Sequence, residues 1–99
     1  MVDTLKITVT RLLWNEAGHE GKDGIEAVGS TILNRKKLNR SDLGGNTVQG
    51  VIEKLDRHGK YHYRAMSKKD TPLPKGTEKT IAEIKICEDT ADAVIAGTL

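Results

Sequence analysis

Leu5-Lys6-Ile7-Thr8-Val9-Thr10-Arg11-Leu12-Leu13-Trp14-Asn15-Glu16-Ala17 sets Leu5, Val9, Leu12, Leu13 and Glu16 at intervals of three and four, the spacing of one face of an α-helix. The pattern predicts a first helix over about residues 4–18, with Gly18 and Gly21 breaking it. Glu16 then continues an apolar stripe beside Trp14 and Ala17, where it either caps the edge of a core or lines a cleft. Partial burial at such a position favours the neutral, proton-donating carboxyl.

Outward from this stretch the periodicity continues. Ile25, Val28, Ile32 and Leu33 form one stripe of a second helix over about residues 23–38, with Lys36, Lys37 and Arg40 toward its carboxyl end. Gly29 lies on that stripe, and a glycine there, at about 1 kcal/mol relative to alanine, predicts close approach by another helix. Asn39 to Asn46, with Gly44-Gly45, reads as a loop, after which Asn46 or Thr47 caps a short helix through Val48, Val51, Ile52 and Leu55.

Between Asp56 and Gly76 the pattern is lost. Tyr61-His62-Tyr63-Arg64 is expected as a short strand, and Pro72 and Pro74 enforce extended or turn backbone. Thr80-Ile81-Ala82-Glu83 has the form of a capping box, with Thr77 as an earlier start. The last helix carries Ile84, Cys87, Ala91, Val94 and Ile95 on its buried side and stops at Gly97. The expected fold is mainly α: about four helices and one long loop bearing a short strand or hairpin, in a single domain over residues 1–99. A loop of that length is often functional.

Composition narrows the possibilities. Hydrophobic residues make up 36% with no Phe, so the core must come from Leu, Ile, Val and Ala. Sixteen basic against fourteen acidic residues give +2, too little by itself to argue for nucleic acid but compatible with an anionic polymer. Cys87 is the sole cysteine, which excludes an intramolecular disulfide; inside an apolar helical pattern it reads as a buried, inert thiol. No signal-peptide pattern and no stretch of membrane-spanning length occurs. The expectation is a chain made in the cytoplasm that would act outside the cell only after lysis, by a non-classical export route, or with a leader that this sequence lacks.

Two blocks of residues are more specific. Glu16-Ala17, Glu20, Gly24, Ala27-Val28 and Leu33-Asn34-Arg35, followed by Asn46-Thr47-Val48-Gln49-Gly50-Val51-Ile52, agree in order and spacing with the landmarks of one family. Over about half its length the chain thus resembles the SleB-like, spore cortex-lytic type of cell wall hydrolase. Gly18 and His19 stand where that family has Arg-Gly, His62-Tyr63-Arg64 stands where it has Gln-Phe-Ser, and the chain stops before the family's closing segment.

The resemblance implies a lysozyme-like helical fold and cleavage of peptidoglycan between N-acetylmuramic acid and N-acetylglucosamine, by lytic transglycosylation or by hydrolysis. It assigns Glu16 as the catalytic acid. A single carboxyl suffices for a transglycosylase, since it donates a proton to the glycosidic oxygen and then acts as base toward the muramoyl 6-hydroxyl. Hydrolysis calls for a partner carboxylate, and Glu20 is the first candidate, followed by Asp23 and Glu26. Acids at this junction also bond the free amides opening a helix, the more common use of a residue such as Glu20. Asn34 and Arg35 either end a helix or shape the cleft. Tyr61, His62 and Tyr63 either plug the core or contact the sugar faces of the glycan.

Two other readings compete. His58 and His62, four apart, with His19 and Glu20, suggest a zinc site, although no established ligand signature is present. Arg35-Lys36-Lys37, Arg40 and Lys68-Lys69 suggest a non-catalytic module that binds peptidoglycan or nucleic acid, though such runs are more often solvated helix ends. The favoured expectation is a monomer acting on the glycan strand, with no cofactor, metal or nucleic-acid partner.

Overall fold

Asp3 begins the described part of the computed structural model, which comprises residues 3–99. Its side chain accepts the amide of Lys6 and caps α1, Thr4–Ala17. The Thr8 and Thr10 hydroxyls, which would otherwise compete with the helical hydrogen bonds, donate to the carbonyls four residues back. Gly18 ends the helix with its amide on the Trp14 carbonyl. Gly21, at φ +77°, then takes a left-handed conformation open to glycine and turns the chain directly into α2, Gly21–Leu38, two residues ahead of the sequence expectation.

Asn39 closes α2 in the left-handed conformation, with Arg35, Lys36 and Lys37 in the last turn complementing the helix dipole. The expected loop follows, containing a single 3-10 turn, Ser41–Leu43. Gly44 and Gly50 then meet backbone to backbone. A side chain at 44 would strike the Gly50 carbonyl, and one at 50 would strike the Gly44 carbonyl. That approach seats the short α3, Val48–Glu53, which Thr47 caps through the amide of Gly50.

α3 stops before Leu55, which lies outside it and 43% exposed. Residues 54–62 instead fold into a hairpin-like turn with one bridged pair, Leu55 and Tyr61. The His62 amide donates to the Lys54 carbonyl and the Asp56 amide to that of Lys60. The strand expected at Tyr61-His62-Tyr63-Arg64 does not form, because Arg64–Lys68 coils into a 3-10 turn that buries Ala65 and Met66 against α1. No strand occurs among the described residues.

α4, Glu78–Ala96, starts at Thr77, whose hydroxyl accepts the amide of Thr80. Of the two starts the sequence offers, the chain uses Thr77, three residues before the capping-box position at Thr80. Gly97 ends the helix as expected, with its amide on carbonyls of the final turn. Ile84 and Ile95 are half-buried, while Glu83 and Thr90 take buried positions beside Cys87, Ala91 and Val94.

The architecture is mainly α, four helices round one core. α1 packs on α2 and α4, α2 also on α4 and α3, and the 64–68 turn closes the end beside α1. Leu12, Leu13, Ile25, Ile32, Val51, Ile52, Met66, Cys87 and Val94 are fully enclosed, each large aliphatic contributing about 1.5–3 kcal/mol. Gly29 lets α4 approach: a Cβ there would lie 2.7 Å from Leu99 Cδ2 and 3.0 Å from Val94 Cγ2. None of the described helices is long and apolar enough to cross a membrane.

Candidate active site

The end of α1 and the end of α2 both reach residues 62–65, Glu16 through Ala65 and Arg35 through His62 and Tyr63. Glu16 is exposed rather than partly buried as its stripe suggested, because it lies on the last turn of α1 where the core ends. Its Oε1 accepts the amide of Ala65 at 3.1 Å, a contact spanning 49 residues of sequence. Ala65 opens the buried part of the 64–68 turn, so the carboxylate is anchored to a fixed backbone group.

Arg35 comes to the same place from the last turn of α2. Its guanidinium carbon stands 5.1 Å from the centroid of the Tyr63 ring, and Nη1 lies 3.5 Å from Nδ1 of His62. The first is a cation–π contact; the second orients the imidazole with its Nδ1 as acceptor, since a guanidinium only donates. Arg35 thus ties the helix end to the 61–65 segment.

Tyr63 is only 7% exposed, so its ring belongs to the core and to the support of Arg35. Its hydroxyl has no protein partner among the described residues. Burial pushes the phenol above its ordinary value, Arg35 pulls it down, and the nearby Glu16 carboxylate raises it further. Tyr61 and His62 are half-buried, so neither plugs the core. Asn34 is exposed on α2 and takes no part in the bonds that assemble the site.

Glu20 is exposed at the first position before α2, but its carboxylate makes no cap to the free amides there. Its side chain folds over Gly24 instead: a Cβ at 24 would lie 2.6 Å from Glu20 Cβ and 3.2 Å from Oε2. The expected cap is corrected, and the acids next in line, Asp23 and Glu26, lie on α2 itself.

The carboxylate that the structure does bury is Glu83, at 8% exposure. His19 Nδ1 stands 3.4 Å from one oxygen and Lys79 Nζ 4.0 Å from the other. The His19 ring meets Trp14 edge-on at 5.0 Å. Glu83 extends the stripe of Cys87, Ala91 and Val94 by one turn, a signal present in the sequence but overshadowed by the capping-box pattern. Arg64 and the Ala65 amide carried no such signal.

The three histidines have different partners. His19 faces Glu83, His62 faces Arg35, and His58 accepts from Arg57 at 3.3 Å. Among the described residues no three His, Cys, Asp or Glu side chains come together as a metal site, so the zinc reading has no geometry behind it. Burial, followed by the charges of Glu83 and Glu88, pushes the Cys87 thiol up to about 11, as the inert reading requires.

Asp56, Lys60, Tyr61, Arg64 and Ser67 line an open depression of about 460 Å³. The amides of Lys60 and His58 hold the Asp56 carboxyl below its ordinary range. Compared with protein-family models, with curated proteins and with solved structures, the chain finds no match.

Proposed function

We propose that this chain cleaves the glycan strand of peptidoglycan between N-acetylmuramic acid and N-acetylglucosamine, with Glu16 as general acid and then general base. The observation that carries the reading is the anchored yet exposed Glu16 carboxylate, held by the Ala65 amide at the end of the segment that Arg35 ties down through His62. An acid catalyst must reach the glycosidic oxygen and hold one orientation while it does so. Exposure meets the first requirement and the amide bond the second. The spacing of Glu16-Ala17, Glu20, Asn34-Arg35 and the 46–52 block supports the same assignment.

In the proposed cycle Glu16 gives its proton to the bridging oxygen as the bond from the muramoyl C1 breaks. The departing N-acetylglucosamine leaves with that proton. Glu16, now a carboxylate, takes the proton of the muramoyl 6-hydroxyl, whose oxygen closes on C1 to give a 1,6-anhydro end. No second carboxylate is consumed in this route. If water attacks instead, a partner is needed, and Glu20 is the carboxylate nearest in sequence to fill that role.

Digestion of purified sacculi followed by mass spectrometry of the released muropeptides tests the reaction. Anhydro-muramoyl ends are the expected product. Reducing ends would replace the transglycosylase route by hydrolysis, and an undigested wall would remove the enzymatic reading.

A further inference from the structure

The charge of this molecule is segregated. Residues 35–69 hold ten Lys and Arg against three Asp and Glu, a net of +7, while the remaining residues hold six against eleven, a net of −5. The pairing is equally uneven. Outside this segment Lys6, Lys79 and Lys85 each have a carboxylate within 4.0 Å; inside it, among the described residues, only Arg40 does, with Asp42. Lys60 and Arg64 are two of the nine without one, and both line the depression that Asp56, Tyr61 and Ser67 complete. Arg64 is also the neighbour of Ala65, whose amide holds the Glu16 carboxylate.

We infer that this depression is a subsite for a peptide-bearing muramoyl unit, with Lys60 and Arg64 binding a carboxylate of its stem peptide and Tyr61 offering a ring face to the sugar. The inference rests on the peptidoglycan reading above. Its volume of about 460 Å³ is within the range that encloses small ligands, roughly 300–1,000 Å³. Two unpaired cations beside an aromatic ring match a ligand that is part carboxylate and part sugar. Lys60 and Arg64 against Asp56 leave this lining one net positive charge, 2 − 1, which balances a single carboxylate better than the repeated charges of a phosphate backbone.

The test is retention on immobilised glycan strands that carry stem peptides, using Glu16→Gln so that the wall strands stay intact, against strands stripped of stem peptides by an amidase. Tighter retention on peptide-bearing wall, by about tenfold, is expected, a difference of about 1.4 kcal/mol. Lys60→Gln/Arg64→Gln in the same background should abolish the preference while its helical circular dichroism is unchanged. Equal retention on both walls, no retention on either, or a preference that survives the double change would overturn the inference. So would salt-dependent binding to duplex DNA, stronger than to wall, that the double change abolishes. Cleavage by wild type is scored separately: peptide-selective binding without turnover would leave the subsite standing and remove the enzyme, and unselective turnover would do the reverse.

Discussion

Helices α1, α2 and α4 and the segment of residues 54–69 are held in place by different means. The helices meet through enclosed aliphatic side chains, and their flanks carry matched charges such as Lys6 with Asp92 and Lys85 with Asp89. The segment encloses only Tyr63, Ala65 and Met66. Single polar groups reach it from elsewhere, Glu16 to the Ala65 amide and Arg35 to His62 and Tyr63, while Asp56 within it accepts two amides of its own turn. One region supplies stability, and the other sets Lys60 and Arg64, without carboxylate partners among the described residues, around an open depression. Substitutions should separate accordingly, with scaffold changes read in the denaturation midpoint and segment changes read in chemistry.

The largest stability effect is expected in the scaffold. Ile32 is fully enclosed in α2, and Ile32→Ala should remove about 2–5 kcal/mol in urea denaturation, a large share of the roughly 5–15 kcal/mol a domain has. A loss below about 1 kcal/mol would mean that the α2 face is not a packed core. Gly29→Val comes next, since its side chain must displace Leu99, Val94 and Thr90. Overpacking of this kind costs about 1–3 kcal/mol, and a neutral result would contradict the close approach of α2 and α4.

Cys87 titrates at about 11 in the fold against an ordinary 9.0. Above the lower value the unfolded chain releases a proton that the folded chain keeps. Stability is therefore intact below about pH 9 and falls toward pH 11, by at most about 1.4 kcal/mol per pH unit. Tyr63, also raised, adds in the same direction above its ordinary 10.0. At pH 8 the thiol should react with a disulfide reagent in urea and stay inert without it; rapid labelling of folded protein would show that α4 is loosely packed. The smallest effect is expected in the segment. Tyr63→Phe keeps the ring under Arg35 and removes a buried hydroxyl with no protein partner, so midpoints should rise by no more than about 1 kcal/mol. A clear loss would mean that the hydroxyl is bonded after all.

The same division explains what could be read from the sequence. Ile25 and Ile32, or Cys87, Ala91 and Val94, declare a helix face through spacing alone, and Gly29 and Gly97 mark an approach and a stop. All depend on neighbours within a few residues. The segment's structure depends on partners 27 and 49 residues away, Arg35 and Glu16, which no local period records. Hence Tyr61 to Arg64 reads as a strand until Ala65 and Met66 are drawn onto α1. Glu16 was legible as a motif residue while its exposure was not, because that depends on where the core ends. Glu20 and Thr80 were each read as part of a helix start, and in each case the chain had a competing option, folding over Gly24 or starting at Thr77.

Glu16→Gln tests the central claim most directly. The glutamine oxygen can still accept the Ala65 amide, so the fold should persist while the proton donor is gone. Side by side on purified sacculi, wild type should release muropeptides and Glu16→Gln should do so slower by at least about 10²-fold, with unchanged circular dichroism and urea midpoint. Release by Glu16→Gln at the wild-type rate would contradict the assignment of Glu16 as the catalytic acid.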